Sequence, residues 1–356
     1  MSGRLKLRRG TIVAEEPLTV EVEGEHRPAW ADEHLLGEMR EGDEVVVNVE
    51  ALDLDLGSGG FDVVHVNLTR GLGGGGAPGD EHVMKLNYTS LQHPVAPVEL
   101  PVRLIRDMTT KGAPEREGGG MPVLVIPLHG HLAPAAWAAA RARPRLKVGY
   151  VQTWGGALPG ALSRDVAELR ERGLLCGHVT AAPAYGGEHE AISVAGALDA
   201  AAGGLGWDAA IAGPGPGIIG SETEFGHGGM AALDTAHAAL ALGLPTLLSP
   251  RLSSGDPRER HNPVSHHTLT VLELLLASVQ VPVPTGDPPP PTLVEAIAAR
   301  HRPIEAPAEI SAYEEAGLPS RTMGRTISED PLFFAAALAS GSALAAVSPA
   351  GGVGSG

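Results

Sequence analysis

From Met121 to His301 the sequence repeats one pattern six times: a short apolar run bounded by turn residues, then a longer stretch with apolar residues at helical spacing. The pairs are Val123–Pro127 with Ala135–Arg143, Val148–Gln152 with Leu158–Arg172, His178–Ala181 with Glu190–Ala201, Ala209–Ala212 with Gly229–Leu242, Thr246–Leu248 with His266–Ala277, and Val279–Val283 with Thr292–His301. Such alternation leaves few options, because a helix between two strands returns the chain to the same end of the sheet and makes the strands parallel. Crossovers of this kind are right-handed, so the expected architecture is α/β: an open, doubly wound, mostly parallel sheet with helices on both faces. Leu162, Val166 and Leu169 give one helix its apolar stripe, and Ser265 stands where it can cap the helix opening at His266.

Residues 4–70 follow a different rule. Ile12-Val13, then Leu18, Val20 and Val22, then Val45 to Val49, and Phe61 to Val66 are short β-type runs between turn signals such as Glu15-Glu16-Pro17 and Glu41-Gly42-Asp43. They predict a small N-terminal β-barrel, SH3-like or OB-like, with a helical turn near Asp32–Met39. Gly71 to Asp80 reads as a hinge, and His82–Gln92 as a strand carrying Lys85, Asn87 and Thr89 on one face. The expected organisation is a β-rich unit with its following strand segment over 1–112, a linker over 113–120, an α/β domain over 121–347 and a disordered tail over 348–356.

Charge narrows the partners. A formal net charge of −16 argues against a nucleic-acid surface, and the barrel lacks the interleaved basic and aromatic residues that such surfaces use. Cys176 is the single cysteine, so no intrachain disulfide or cysteine-rich metal site forms, and its place in the pattern predicts a buried structural thiol. Met1 to Gly10 is basic without the apolar core of a signal peptide, and Pro331 to Val347 falls short of the ~20 apolar residues of a membrane span. A soluble, cytoplasmic protein with no membrane partner is expected. Leu332, Phe333, Phe334, Leu338 and Leu344 make that last segment apolar beyond a narrow stripe, so it needs either the chain's own core or a second subunit. A homodimer or larger homo-oligomer is the expectation.

In a parallel sheet the loops that follow the strands share one edge, where ligands bind. Here they bring together His129, His131, Thr153, Tyr185, Glu188, Glu222, Glu224, His227, Arg258, His261 and His266. The longest of them, Gly213 to Met230, is rich in glycine and precedes a helix, an arrangement that offers backbone N–H groups to an anion. It lacks the Walker lysine and the strict dinucleotide spacing, so a stiff turn is the competing reading. The candidate ligand-binding residues are Gly213, Gly215, Gly217, Gly220, Ser221, Thr153, Gly155, Lys85, Arg258 and His266. The candidates for moving a proton are His227, Glu188 and Tyr185. Glu222 and Glu224 are further candidates for general acid and base, although alternation in a loop does not fix their separation. His129-Gly130-His131 resembles two of three metal ligands, but the histidine spacings are loose, and no tightly held zinc and no particular cofactor are expected.

Five stretches carry a resemblance. His82–Gln92 (HVMKLNYTSLQ), Tyr150–Leu162 (YVQTWGGALPGAL), Ala184–Leu198 (AYGGEHEAISVAGAL), the Gly213–Met230 loop and His261–Thr270 (HNPVSHHTLT) resemble an uncharacterised bacterial family of about this length, defined only as a domain of unknown function. The resemblance implies no activity and assigns no residue. The residues themselves point to a small anionic ligand, phosphorylated or carboxylated, at the carboxyl edge of the sheet, with a transferase or hydrolase as the reaction class. A non-catalytic binding or assembly protein and a histidine-dependent metal hydrolase are the alternatives.

Overall fold

The computed structural model describes residues 4–56, 59–73, 75–76, 79, 81–99, 120–221, 223–286 and 288–349. Most of the expected linker, most of the expected tail and Glu222 therefore lie outside the described residues. Chain contacts divide the molecule into two units, Met1–Ala96 and Pro97–Gly356.

The first unit contains β1 (Leu7–Glu15), β2 (Leu18–Val22), β3 (Glu25–Trp30), a turn of helix α1 (Glu33–Leu36), β4 (Glu44–Asn48), α2 (Glu50–Asp53) and β5 (Asp62–Asn67). The five strands close into a barrel in the order β1-β2-β3-β5-β4, with β4 returning to β1. Alternate residues Ile12, Val20, Val22, Val45, Val47 and Val64 fill its interior. Glu23 and Gly24 join β2 to β3 with positive φ at both positions, the turn whose twist matches the strands it connects. Beyond the barrel, β6 (Val83–Lys85) and β7 (His93–Val95) pair as a hairpin. The strand expected to run to Gln92 stops at Lys85, because Leu86 and Tyr88 take positive φ and the chain turns.

The second unit contains β8 (Val123–Val125), α3 (Leu132–Ala142), β9 (Val148–Thr153), α4 (Arg164–Glu171), β10 (Gly177–Ala181), β11 (His189–Ala191), α5 (Val194–Gly203), β12 (Ala209–Pro214), α6 (Ala231–Ala241), β13 (Thr246–Leu248), α7 (His266–Leu274), β14 (Gln280–Pro284), α8 (Pro291–Arg300) and β15 (Arg302–Ala306). It ends with α9 (Ile310–Glu315), the short pair β16 (Arg321–Thr322) and β17 (Arg325–Thr326), and α10 (Pro331–Val347). Strands β8 to β15 form one parallel sheet in the order β11-β10-β9-β12-β8-β13-β14-β15. All six expected strands are present. Two more join them: β11, whose residues overlap the start of the helix expected over Glu190–Ala201, and β15, which the proline and charged residues of Arg302–Ala306 disguise, a composition suited to an edge.

Strand order decides which face each helix covers. From β8 the chain steps to β9, β10 and the edge strand β11 in one direction, and from β11 it steps back through β12, β13, β14 and β15 in the other. Right-handed crossovers put helices made during opposite steps on opposite faces. Accordingly α5 to α8 pack on the face that carries Val123, Val125, Ala210, Ala212 and Val281, and α3 and α4 on the face that carries Leu124, Tyr150, Ala209 and Ile211. That rule leaves the second face bare over β13 to β15. Helix α10 lies against α3, β14 and β15 and covers it.

Burial of α10 accounts for its all-round apolarity within the chain: Phe333, Phe334, Leu338 and Leu344 are each no more than 1% exposed. The feature that suggested a second subunit is thus satisfied by the protein's own core. Among the described residues no helix is long and apolar enough to cross a membrane.

Two local expectations need correction. Cys176 is exposed, because β10 starts one residue later and the cysteine precedes the sheet. Ser265 does occupy the N-cap of α7, but its hydroxyl lies 2.9 Å from His261 Nδ1 and makes no capping bond. Ser163 does cap α4, accepting from the Val166 N–H at 3.1 Å.

Gly341 marks the closest approach of α10 to α3, where a Cβ would be driven into the Ala135 carbonyl. Helix propensity alone makes Gly→Ala favourable by about 1 kcal/mol. Here overpacking reverses the sign, and Gly341→Ala should lower unfolding free energy by about 1–3 kcal/mol in urea denaturation. An unchanged or raised midpoint would show that α10 is not seated this tightly.

Candidate active site at the carboxyl edge of the sheet

β8 lies between β12 and β13, yet its chain leaves toward α3 on one face while both neighbours leave toward α6 and α7 on the other. Where adjacent connections diverge, a crevice opens beyond the strand ends. A cavity of about 540 Å³ occupies it. Its walls are Pro127–Gly130 after β8, Pro216–Gly220 and His227 after β12, Arg251, Arg258, Arg260, His261 and His267 around the loop after β13, and Arg321, Thr322 and Met323 of the β16 turn.

Four arginines line this cavity and, among the described residues, no carboxylate does. The acids stand behind. Asp256, 2% exposed, receives Arg258 at 2.8 Å, Arg251 at 3.1 Å and Arg325 at 3.4 Å. Asp330, fully buried, receives Arg325 at 3.0 Å, the Ser253 hydroxyl at 2.7 Å and the Ser254 N–H at 2.8 Å. Burial works against ionisation of Asp256, but hydrogen bonds from Arg258 and the charge of Arg251 outweigh it and hold the carboxyl well below its usual range. Burial also pulls Arg251 down to about 10, which leaves it charged at neutral pH. Its Nε has no hydrogen-bond partner among the described residues.

Beside the arginines lies a histidine cluster. His227 ends the glycine loop, and His266 and His267 open α7; one ring nitrogen from each lies within 4.8 Å of the others. The His227 and His267 rings stack with centroids 3.2 Å apart, and His261 stacks on His266 at 5.2 Å. Burial pushes His227 down to about 4 and His261 to about 3, so both are neutral near pH 7. His227 is 6% exposed, and neither of its ring nitrogens reaches a hydrogen-bond partner of good geometry, although the Glu224 carbonyl lies near enough to favour protonation slightly.

Of the residues singled out from sequence, His129, Gly217, Gly220, His227, Arg258 and His261 line the cavity, and His266 joins the cluster at its wall. Others serve the loops themselves. A Cβ at Gly213 would enter Ile126, one at Gly215 the Ala157 carbonyl, and one at Gly155 the Gly228 carbonyl, so these glycines let backbones touch. Thr153 is buried at the end of β9 with its hydroxyl on the Trp154 carbonyl, and Ser221 closes its own loop through Thr223 and Gly226.

Glu188 pairs with Arg170 at 2.8 Å beside β10, and Tyr185 is buried in the neighbouring loop. Lys85 belongs to the first unit, where it is 2% exposed. His129 and His131 do not act as a pair: His129 Nε2 lies 2.8 Å from the Ser163 hydroxyl, and His131 Nδ1 lies 2.8 Å from that of Ser249. Sequence reasoning missed Arg251, Arg260, Arg321 and His267. The first two had a signal in the density of charged residues across Arg251–Arg260.

Barrel, parallel sheet and arginine–histidine cavity together define a two-unit protein with an α/β pocket domain. Residues 28–341 match the family described as "Protein of unknown function (DUF3866)", and the chain belongs to that family, as its motifs suggested. No curated protein and no solved structure matches it.

Asp256→Asn should destabilise the second unit by about 3–5 kcal/mol, because it removes the charge that balances the buried Arg251. Since the folded-state value of Asp256 is depressed, its contribution is present above the unfolded carboxylate value of about 3.9 and is lost as pH falls toward the folded value. Urea midpoints measured from pH 7 to pH 3 should therefore fall steeply for the parent and more gently for the variant. Parallel pH curves would show that Asp256 carries no such role.

Proposed function

We propose that the cavity binds a small anion, phosphorylated or carboxylated, at the carboxyl edge of the sheet. The observation that carries this reading is the lining itself: four guanidinium groups and no carboxylate among the described residues, in a chain of net charge −16. A cluster of one sign against the sign of the whole chain attracts the opposite ion, and guanidinium forks match phosphate and carboxylate oxygens two at a time. The glycine loop supports it, since Gly217, at φ +70° with open space where a Cβ would stand, lets the backbone approach a ligand. Transfer or hydrolysis is the reaction class that suits such a pocket. Of the proton-moving groups considered, His227 lines the cavity, whereas Glu188 is committed to Arg170.

Thermal unfolding with inorganic phosphate, pyrophosphate, sugar phosphates and di- and tricarboxylates tests the reading. At least one should stabilise the protein, by about 2.7 kcal/mol when present at a hundred times its Kd. The double variant Arg260→Gln/Arg321→Gln should lose that shift while still unfolding in a single cooperative transition. If no anion stabilises the parent, the proposal fails.

Gly217→Val forces a β-branched residue into positive φ and should cost about 1–3 kcal/mol. If the glycine loop forms part of the anion site, this variant also loses the ligand-induced shift. Retention of the parent's shift in a destabilised variant would make the loop a scaffold only.

A further inference from the structure

We infer that His227, His266 and His267 form a site for one divalent transition metal of the zinc class, with the metal's remaining positions open to the arginine cavity. Two independent observations support it. The first is convergence: one ring nitrogen from each residue lies within 4.8 Å of the other two. A metal held at roughly 2.0–2.1 Å in tetrahedral geometry separates its ligand nitrogens by roughly 3.3 Å, so a modest swing of the side chains closes the set. The second is an orphan. His227 is more than nine-tenths buried and faces the cavity with no well-formed hydrogen bond to either ring nitrogen. A buried polar group left so loses its hydration without replacement, and a ligand bond restores a partner.

Stacking alone does not explain the arrangement. Two imidazoles packed for apolar contact have no need to leave their nitrogens bare, and the His227 and His267 rings open from their stack when both turn a lone pair toward one ion. The donor set selects the metal, since imidazole suits zinc, copper, nickel and iron, whereas calcium and magnesium take oxygen. Charge then selects what completes the shell. Among the described residues no carboxylate joins the three histidines, and the guanidinium of Arg251 faces the same cavity. A dication placed there needs an anion between itself and the arginine. Hydroxide, or the anion already proposed for the pocket, fills that place; this part of the inference rests on the anion reading, whereas metal binding does not.

The experiment uses the full chain purified without a metal-affinity tag and stripped with a chelator. Titration with cobalt(II) should give visible ligand-field bands that saturate at one metal per chain and are displaced by zinc. His227→Gln and His267→Gln should each weaken the site by more than roughly 100-fold, while His26→Gln, an exposed histidine of the barrel, should leave it unchanged. His266→Cys should retain one cobalt and add a sulfur-to-metal charge-transfer band, which identifies the ligand even if a glutamine variant fails to fold. Saturation that never reaches one metal, or binding that survives both glutamine variants, overturns the metal site. Inorganic phosphate added to the cobalt form should shift the bands. If the bands do not move although phosphate still raises the melting temperature, the bridging anion is wrong. If phosphate does neither while cobalt binds, the anion reading falls and the metal site stands.

Discussion

A right-handed crossover can cover only the face toward which it turns, and this single constraint arranges most of the second unit. Because the chain reverses direction after β11, the strand it laid down first becomes flanked by two strands whose connections run the other way. The gap over β8 is therefore a product of chain order, formed before any side chain is chosen. The same rule leaves half of one face without a helix, and the sequence answers with α10, apolar on every side because it is enclosed by α3 and the sheet.

Into that gap the chain places charge in two layers. Asp256 and Asp330 are buried, and their oxygens are taken up by arginines, serine and backbone N–H groups, so the carboxylates orient the guanidinium groups without facing the cavity themselves. Buried ion pairs add little net stability, because desolvation offsets attraction. What they provide is position: Arg251 cannot swing into solvent, and its charge stays aimed at the same place.

How much of this could be read from the residues depended on the range over which each signal acts. Strand–helix alternation is local, and it located β8, β9, β10, β12, β13 and β14 and the glycine loop between β12 and α6, but it ran the short β11 into the start of a helix. The short β-runs of residues 4–70 likewise pointed to a closed barrel, and β1 to β5 form one. Strand order is not local, so nothing near His227 in the chain announced that it would meet His266 and His267, almost forty residues on. Spacing along the chain describes each loop separately and does not report that the fold brings three of these rings together. The His129-Gly130-His131 pattern had the opposite weakness: a suggestive spacing whose two rings are each engaged by a different serine. Exposure of Cys176 turned on a shift of one residue in where β10 begins, finer than pattern can resolve.

The contacts between the Gly155-Gly156 loop and the glycine loop reach beyond packing. Gly155 meets Gly228 and Gly156 meets Gly215 backbone to backbone, with no room for a side chain at any of the four. The loops after β9 and β12 are thereby spliced into one wall that cannot be altered piecemeal. At the rim of the cavity, by contrast, Ile219 and Met323 stand exposed, with Phe225 exposed farther along the same loop as Ile219, where a change of side chain meets no backbone. The fold thus separates a wall made of backbone contacts from a rim made of exposed side chains.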